Sequence, residues 1–90
     1  MSDASKFKVS VIFPSYNESE NIAEAIERVS KSVGKNLHEI IVVDDNSPDG
    51  TWKIVQNMGN PRYRAIRRMK ERGVASALAR GIKEAKGNVI

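Results

Sequence analysis

An α/β protein, with helices on both faces of an open parallel sheet, is what this sequence predicts, and three observations predict it. Two short β-branched runs, Val9-Ser10-Val11-Ile12-Phe13 and Ile40-Ile41-Val42-Val43, have the composition of strands buried on both faces. Between and after them, apolar residues recur at helical spacing. Strand and helix patterns then alternate along the whole chain, as in parallel α/β folds. The expected order is β-α-β-α-β-α-β in three layers, α/β/α, with right-handed crossovers.

Each element has its own signal. In the first helix Ile22, Ile26, Val29 and Val33 fall on one face. Asn17 or Ser19 can cap it, Glu18 and Glu20 suit its positive end, and Gly34 is a natural stop. The second helix is expected to start near Ser47, with Pro48 in the first helical position, where a missing N–H costs nothing. Trp52, Val55 and Met58 form its apolar stripe, and Gly59-Asn60-Pro61 ends it. Tyr63-Arg64-Ala65-Ile66-Arg67 is a weaker strand whose arginines suit a sheet edge. The third helix follows Gly73 and is expected to bury Val74, Leu78, Ile82 and Ala85. Gly87 closes it, and Val89-Ile90 begins a fourth strand. Residues 1–7 are expected to be frayed.

Composition narrows the chemistry. Ninety residues allow one small domain or part of a larger one, and 40% hydrophobic with 29% charged residues is a globular composition. The absence of cysteine removes a disulfide framework, a thiolate zinc site and a cysteine nucleophile together. A single histidine, His38, excludes a two-histidine metal site. The longest apolar run, residues 40–43, is far short of the ~20 residues of a membrane span. Residues 1–8 carry no apolar signal-peptide core, so a cytoplasmic protein is expected.

Ligands of open parallel sheets bind outside the carboxyl ends of the strands. Two polar loops leave such ends: Pro14-Ser15-Tyr16-Asn17-Glu18 and Asp44-Asp45-Asn46-Ser47-Pro48-Asp49-Gly50. Neither is a P-loop, and no G-x-G-x-x-G follows the first strand. A carboxylate after the second strand can still accept from a ribose hydroxyl or a base N–H, and a tyrosine can pack on either. Taken singly, each residue has a plainer reading. Asp44-Asp45 suits a solvated turn, Tyr16 packing, and Glu18 and Asp49-Gly50 a helix start. Ser47 reads as a cap, because no nearby histidine could activate it, and His38 lies at the opposite end of its strand. The combination at one sheet edge favours a nucleoside site.

The segment 62–72 holds Arg62, Arg64, Arg67, Arg68, Lys70 and Arg72 against one acid, Glu71. It can be a solvated edge strand, a face for an anionic group such as a pyrophosphate, or a nucleic-acid surface. Tyr63 alone interleaves it, which is thin for base stacking.

The two loops together carry a resemblance. Val9 to Glu18, then Ile41-Val42-Val43-Asp44-Asp45-Asn46-Ser47-Pro48-Asp49-Gly50-Thr51, closely resemble the family 2 glycosyltransferases, and within them the dolichol-phosphate mannosyltransferase (polyprenyl-phosphate glycosyltransferase) group. The later run Arg67-Arg68-Met69-Lys70-Glu71-Arg72-Gly73-Val74-Ala75-Ser76-Ala77, with Gly81 and Ala85-Lys86-Gly87, also fits. The resemblance implies a Rossmann-like GT-A nucleotide-sugar-binding fold. It implies transfer of a hexose, mannose from GDP-mannose in the group it matches best, to a polyprenyl phosphate at a membrane. By position, Pro14, Tyr16 and Glu18 would line the nucleoside pocket, and Val43 and Asp45 would contact base or ribose. Asp44, Arg72 and Gly73 are further candidate donor contacts.

The family also implies an Asp-x-Asp motif just after the strand that Val89-Ile90 begins, holding Mg²⁺ or Mn²⁺ on the donor diphosphate. The sequence stops before it. The expectation is therefore an amino-terminal half, residues 8–90, broken inside the fourth strand. It would carry no catalytic residue and no complete metal site and be inactive alone. The whole enzyme would act at the cytoplasmic face of a membrane. Marginal stability, mobile ends or self-association through the truncated edge are expected of such a half. The alternative is a non-catalytic nucleic-acid-binding module using residues 62–72. A phospho-acceptor domain fits less well, because the acid pair follows the second strand and no separate aspartate ends the third.

Overall fold

The computed structural model describes residues 6–89. Its elements are β1 (Val9–Ser15), α1 (Ile22–Val33), β2 (Leu37–Asp44), α2 (Thr51–Asn57), β3 (Tyr63–Arg67) and α3 (Val74–Glu84), with a 3-10 turn, Gly34–Asn36, between α1 and β2. The three strands form a parallel sheet in the order β1-β2-β3. This is the alternating, Rossmann-like α/β architecture that the strand and helix patterns predict.

β2 is central, and its composition explains why. From Glu39 to Asp44 every residue is buried, and the side chains alternate between two cores. Ile40 and Val42 face Ile22 and Ile26 of α1, Val55 of α2 and Tyr63 of β3. Ile41 and Val43 face Ala77 of α3. Helices α1 and α2 thus cover one face and α3 the other. A strand buried this way gains ~1.5–3 kcal/mol for each large aliphatic side chain removed from water.

The fourth strand begins beside β1, not beside β3. Val89 makes a parallel bridge with Val9, and the Ser10 N–H donates to the Val89 carbonyl at 2.7 Å. Ile90, the rest of the expected strand, lies outside the described residues, as do residues 1–5 of the expected frayed terminus. The chain therefore moves from β1 to β3 in one direction across the sheet and returns to the other side of β1. Sheets of this kind bind ligands at that reversal, outside the carboxyl end of β1.

Three local expectations are corrected. The second helix begins at Thr51, not near Ser47; Pro48 lies in a turn closed by a Gly50 N–H to Ser47 carbonyl bond of 3.1 Å. The first helix is preceded by Asn21, so neither Asn17 nor Ser19 is its cap; Asn17 instead takes a left-handed turn conformation. The largest difference is in α3. Its buried positions are Ala77 and Gly81, while Val74, Leu78 and Ile82 are exposed. Gly81 is the cause: a Cβ there would overlap the Ile12 side chain, so the helix backbone lies directly against β1 on its small-residue face. Among the described residues no helix is long and apolar enough to cross a membrane.

Candidate functional site

The carboxyl ends of β1 and β2 are adjacent, with Ser15 opposite Asp44 in the ladder and the Asp45 N–H donating to the Ser15 carbonyl at 3.1 Å. Both strands then turn at an asparagine with positive φ, Asn17 at 55° and Asn46 at 54°. Asparagine tolerates that conformation better than most residues. The second loop ties down the first by an unusual division of labour. Ser47 Oγ accepts from the Asn17 N–H, Thr51 Oγ1 from the Glu18 N–H, and Asp49 Oδ2 from the Ser19 N–H. Three successive backbone donors of the β1–α1 loop are thus satisfied by three side chains of the 47–51 segment.

Asp44 anchors this arrangement from below. It is fully buried, and its carboxyl group accepts from the Ser15 and Ser47 hydroxyls and the Ser47 N–H, at 2.6 to 2.9 Å. Thr51 donates to Asp49 Oδ1 through both its N–H and its hydroxyl. The Thr51 hydroxyl is the main cause holding the Asp49 carboxyl below the usual range, with burial opposing and Ser19 adding to it.

Asp45 faces a different set of groups. Its Oδ1 accepts from Arg68 Nε at 2.7 Å and its Oδ2 from the Gly73 N–H at 2.9 Å. The Arg68 hydrogen bond is the largest cause of a carboxyl held below its ordinary range; burial opposes it, and the Gly73 N–H and the charges of Arg68 and Arg72 reinforce it. Asp45 is therefore an acceptor at neutral pH.

Beside it opens a cavity of about 420 Å³ lined by Pro14, Ser15, Tyr16, Glu18, Asp45, Arg72, Gly73 and Val74. That volume lies within the ~300–1,000 Å³ typical of small-molecule sites. Volume alone does not single it out, because a cavity of similar size lies on the α3 flank among Glu71, Ser76, Arg80 and Lys83. Position does: only the first stands at the carboxyl ends of β1 and β2. It combines a half-exposed aromatic ring, two carboxylates and a cation.

Of the residues singled out from sequence, Pro14, Tyr16, Glu18, Asp45, Arg72 and Gly73 come together around this cavity. Val43 and Asp44 do not line it. Val43 packs in the core against Ala77, and the Asp44 carboxyl is committed to the loop tie. Ser15 and Val74 line the cavity without having been singled out for it, Val74 because α3 turns its apolar stripe outward. In the sequence Arg68 stands out as no more than one cation of a basic run; in the structure it is buried against Asp45. The β2–β3 register explains the pairing: Asp44 lies opposite Arg67, which sets Arg68 beside Asp45, a relation between two strands that the sequence alone does not display.

The rest of the basic segment is largely committed to the protein itself. Arg62 donates to the Leu37 carbonyl, and Arg64 to the Glu84 carbonyl with Glu39 and Glu84 nearby. Arg67 donates to Asn46 and lies 4.2 Å above the Trp52 ring. This leaves little of the segment for a nucleic-acid backbone. At the opposite end of the sheet, Glu39 is pushed up by burial. Bonds from the Lys86 N–H and the Ser10 hydroxyl, with the Arg64 and His38 charges, outweigh this and leave it below its usual range. Among the described residues no group of three His, Asp or Glu side chains could hold a metal ion.

Comparison with known proteins places this geometry in context. Residues 10–90 match the family model described as glycosyl transferase family 2. The chain is 49% identical over 84 residues to a dolichol-phosphate mannosyltransferase of Pyrococcus furiosus, covering 91% of this chain and 24% of that protein. It is 38% identical over 86 residues to the dolichol-phosphate mannosyltransferase of Saccharomyces cerevisiae, covering 90% of this chain and 32% of that one. It is 35% identical over 82 residues to a UDP-Glc:alpha-D-GlcNAc-diphosphoundecaprenol beta-1,3-glucosyltransferase of Escherichia coli, covering 91% and 32%. The chain thus spans about a quarter to a third of the length of these relatives.

Proposed function

This chain belongs to glycosyl transferase family 2, and from that membership we propose that residues 8–90 are the nucleotide-sugar-binding half-domain of a hexosyltransferase. The proposed donor is GDP-mannose and the proposed acceptor a polyprenyl phosphate, with the whole enzyme working at the cytoplasmic face of a membrane. The mannosyltransferase relatives support the sugar and the acceptor. The Escherichia coli relative, with UDP-Glc in its name, makes the nucleotide the point to test.

The observation that carries the proposal is the cavity at the carboxyl ends of β1 and β2, lined by Tyr16, Glu18, Asp45 and Arg72. The exposed Tyr16 ring offers a face for a base or ribose. Asp45 and Glu18 accept from base N–H or ribose hydroxyl groups. Pro14 shapes the wall, Gly73 allows close backbone approach, and Arg72 faces the diphosphate. Contacts from Val43 and Asp44 would come from the backbone, because their side chains are buried.

A diphosphate leaving group needs its developing charge neutralised. In the whole enzyme we assign that to Mg²⁺ or Mn²⁺. The described residues do not fit such an ion, so no step of transfer is assigned to them, and the 90-residue chain is proposed to bind donor without transferring sugar.

Calorimetric titration with GDP and UDP tests this. GDP is expected to bind, and Asp45→Asn to weaken it about tenfold, the equivalent of roughly 1.4 kcal/mol. Binding of UDP but not GDP would replace the proposed donor. Binding of neither at millimolar concentration would remove the donor site.

A further inference from the structure

We propose that Arg68 is the positioning residue of this cavity: it locks Asp45 and the Arg72–Gly73 wall into one arrangement before any ligand arrives. Arg68 follows β3 directly, and its backbone N–H donates to the Asp44 carbonyl at 2.7 Å, continuing the ladder. Its side chain is 1% exposed. Each of its three nitrogens meets a protein acceptor: Nε the Asp45 carboxylate at 2.7 Å, Nη1 Ser76 Oγ at 3.0 Å, and Nη2 the Gly73 carbonyl at 3.1 Å. The Gly73 N–H returns to the other oxygen of Asp45 at 2.9 Å. The three residues form a closed ring of hydrogen bonds.

The ring has a geometric consequence. Gly73 has φ of 110°, a conformation that L side chains rarely adopt, and it leads straight into α3. The Gly73 N–H ties that turn to Asp45 at the end of β2, and the Gly73 carbonyl ties it to Arg68 after β3, beside the Ala77 N–H and Ser76 hydroxyl bonds of the helix start. Arg68 therefore fixes the Arg72–Gly73 part of the cavity wall. Because its nitrogens are all used within the protein, it acts on a ligand through Asp45 and not by touch. Asp45, with one bond on each oxygen, keeps an acceptor position on each for a ligand with donor groups.

Lysine cannot replace this function. It carries one nitrogen on a flexible stem, whereas the ring needs a planar fork reaching three acceptors in different directions. The groups near Asp45 are Arg68 and Arg72 with the Gly73 N–H from the loop after β3, and Glu18 and Tyr16 in the lining of the same cavity; the neighbouring Asp44 carboxyl is committed to Ser15 and Ser47. Glu71 adds a carboxylate 3.7 Å from Arg68 Nη1.

The test compares Arg68→Lys and Ser76→Ala with the parent chain by two readouts. The first needs no ligand: the carboxyl ¹³C titration of Asp45 and the amide shift of Gly73. The second, GDP affinity, rests on the donor-nucleotide reading. Arg68→Lys is expected to move the Gly73 amide, raise the Asp45 titration midpoint toward the ordinary range and weaken GDP about tenfold. Ser76→Ala leaves Arg68 in place but removes one of its anchors, together with the Ser76 hydroxyl contacts to the Arg72 and Gly73 carbonyls. It is expected to shift the same signals less, and its Asp45 titration, which Ser76 reaches only through Arg68, carries the test if Arg68→Lys does not fold. Unchanged Asp45 and Gly73 signals in the folded variants would overturn the proposal. If the parent chain does not bind GDP but those signals move, the positioning role stands and the donor reading falls.

Discussion

Asp44 directs its carboxyl group into three hydrogen bonds beneath the loops, while Asp45, the next residue, turns its own toward Arg68, Gly73 and the cavity. Asp44 closes β2 and Asp45 opens the loop after it, so the Asp-Asp pair divides into a loop anchor and a cavity-facing acceptor. Asp44→Ala leaves the buried Ser15 and Ser47 donors without a partner. The expected cost is about 2–3 kcal/mol, read as a lower urea midpoint. The acid side of the stability profile follows from carboxyls held below their ordinary ranges in the folded chain, chiefly Asp45 and Glu39, with the more exposed Asp49. Their unfolded values are about 3.9 for Asp and about 4.3 for Glu. Their contribution is fully present above those values and is lost as pH falls through the lower folded ones. Thermal midpoints are expected to be flat from neutrality to about pH 5 and to fall below about pH 4. A midpoint that rises on acidification would contradict the Arg68 and Lys86 contacts as the dominant influence.

At the scale of elements, β1 and β2 were legible because β-branched runs of four or five residues leave few alternatives, while the weaker β3, Tyr63–Arg67, was legible from its place in the alternation of strands and helices. The site loops were legible as a pair of polar segments at strand ends, and Pro14, Tyr16, Glu18, Asp45, Arg72 and Gly73 do meet at one cavity. The start of α2 was not legible. Ser47, Asp49 and Thr51 resemble helix-start residues, but their side chains bond to the neighbouring loop at Asn17, Glu18 and Ser19, a contact between distant parts of the chain that periodicity does not encode. The face of α3 was misread for a related reason. Val74, Leu78 and Ile82 make the more apolar stripe, yet the close approach at Gly81 decides which side meets β1. Gly81→Ala would raise helix propensity by about 1 kcal/mol but drive a methyl into Ile12. The net expectation is destabilisation of about 1–2 kcal/mol, measured by urea denaturation. A more stable Gly81→Ala chain would mean that α3 is not seated this closely.

For the molecule as a whole, the two cores are unequal. One joins α1, α2 and all three strands, while the other rests on Ile41, Val43 and Ala77 with Ile12, Ile66 and Ala85 at its margin. The outer side of α3 leaves Val74 66% and Ile82 51% exposed. Apolar surface of that kind favours association with another surface. The 90-residue chain is expected to sediment with a concentration-dependent mass. Ile82→Lys is expected to suppress this while shifting the unfolding midpoint by no more than about 0.5 kcal/mol, the ordinary range for a surface substitution. A large loss of stability would show instead that Ile82 is a core residue. The central claim, that the carboxyl ends of β1 and β2 form the donor-nucleotide site, is tested most directly by titrating GDP-mannose into isotopically labelled chain and following every backbone amide. Saturable shifts centred on Tyr16, Glu18, Asp45 and Gly73, with His38 and Glu39 at the far end of β2 unmoved, are the expected result. Shifts centred on the α3 flank, or none at millimolar donor, would contradict it.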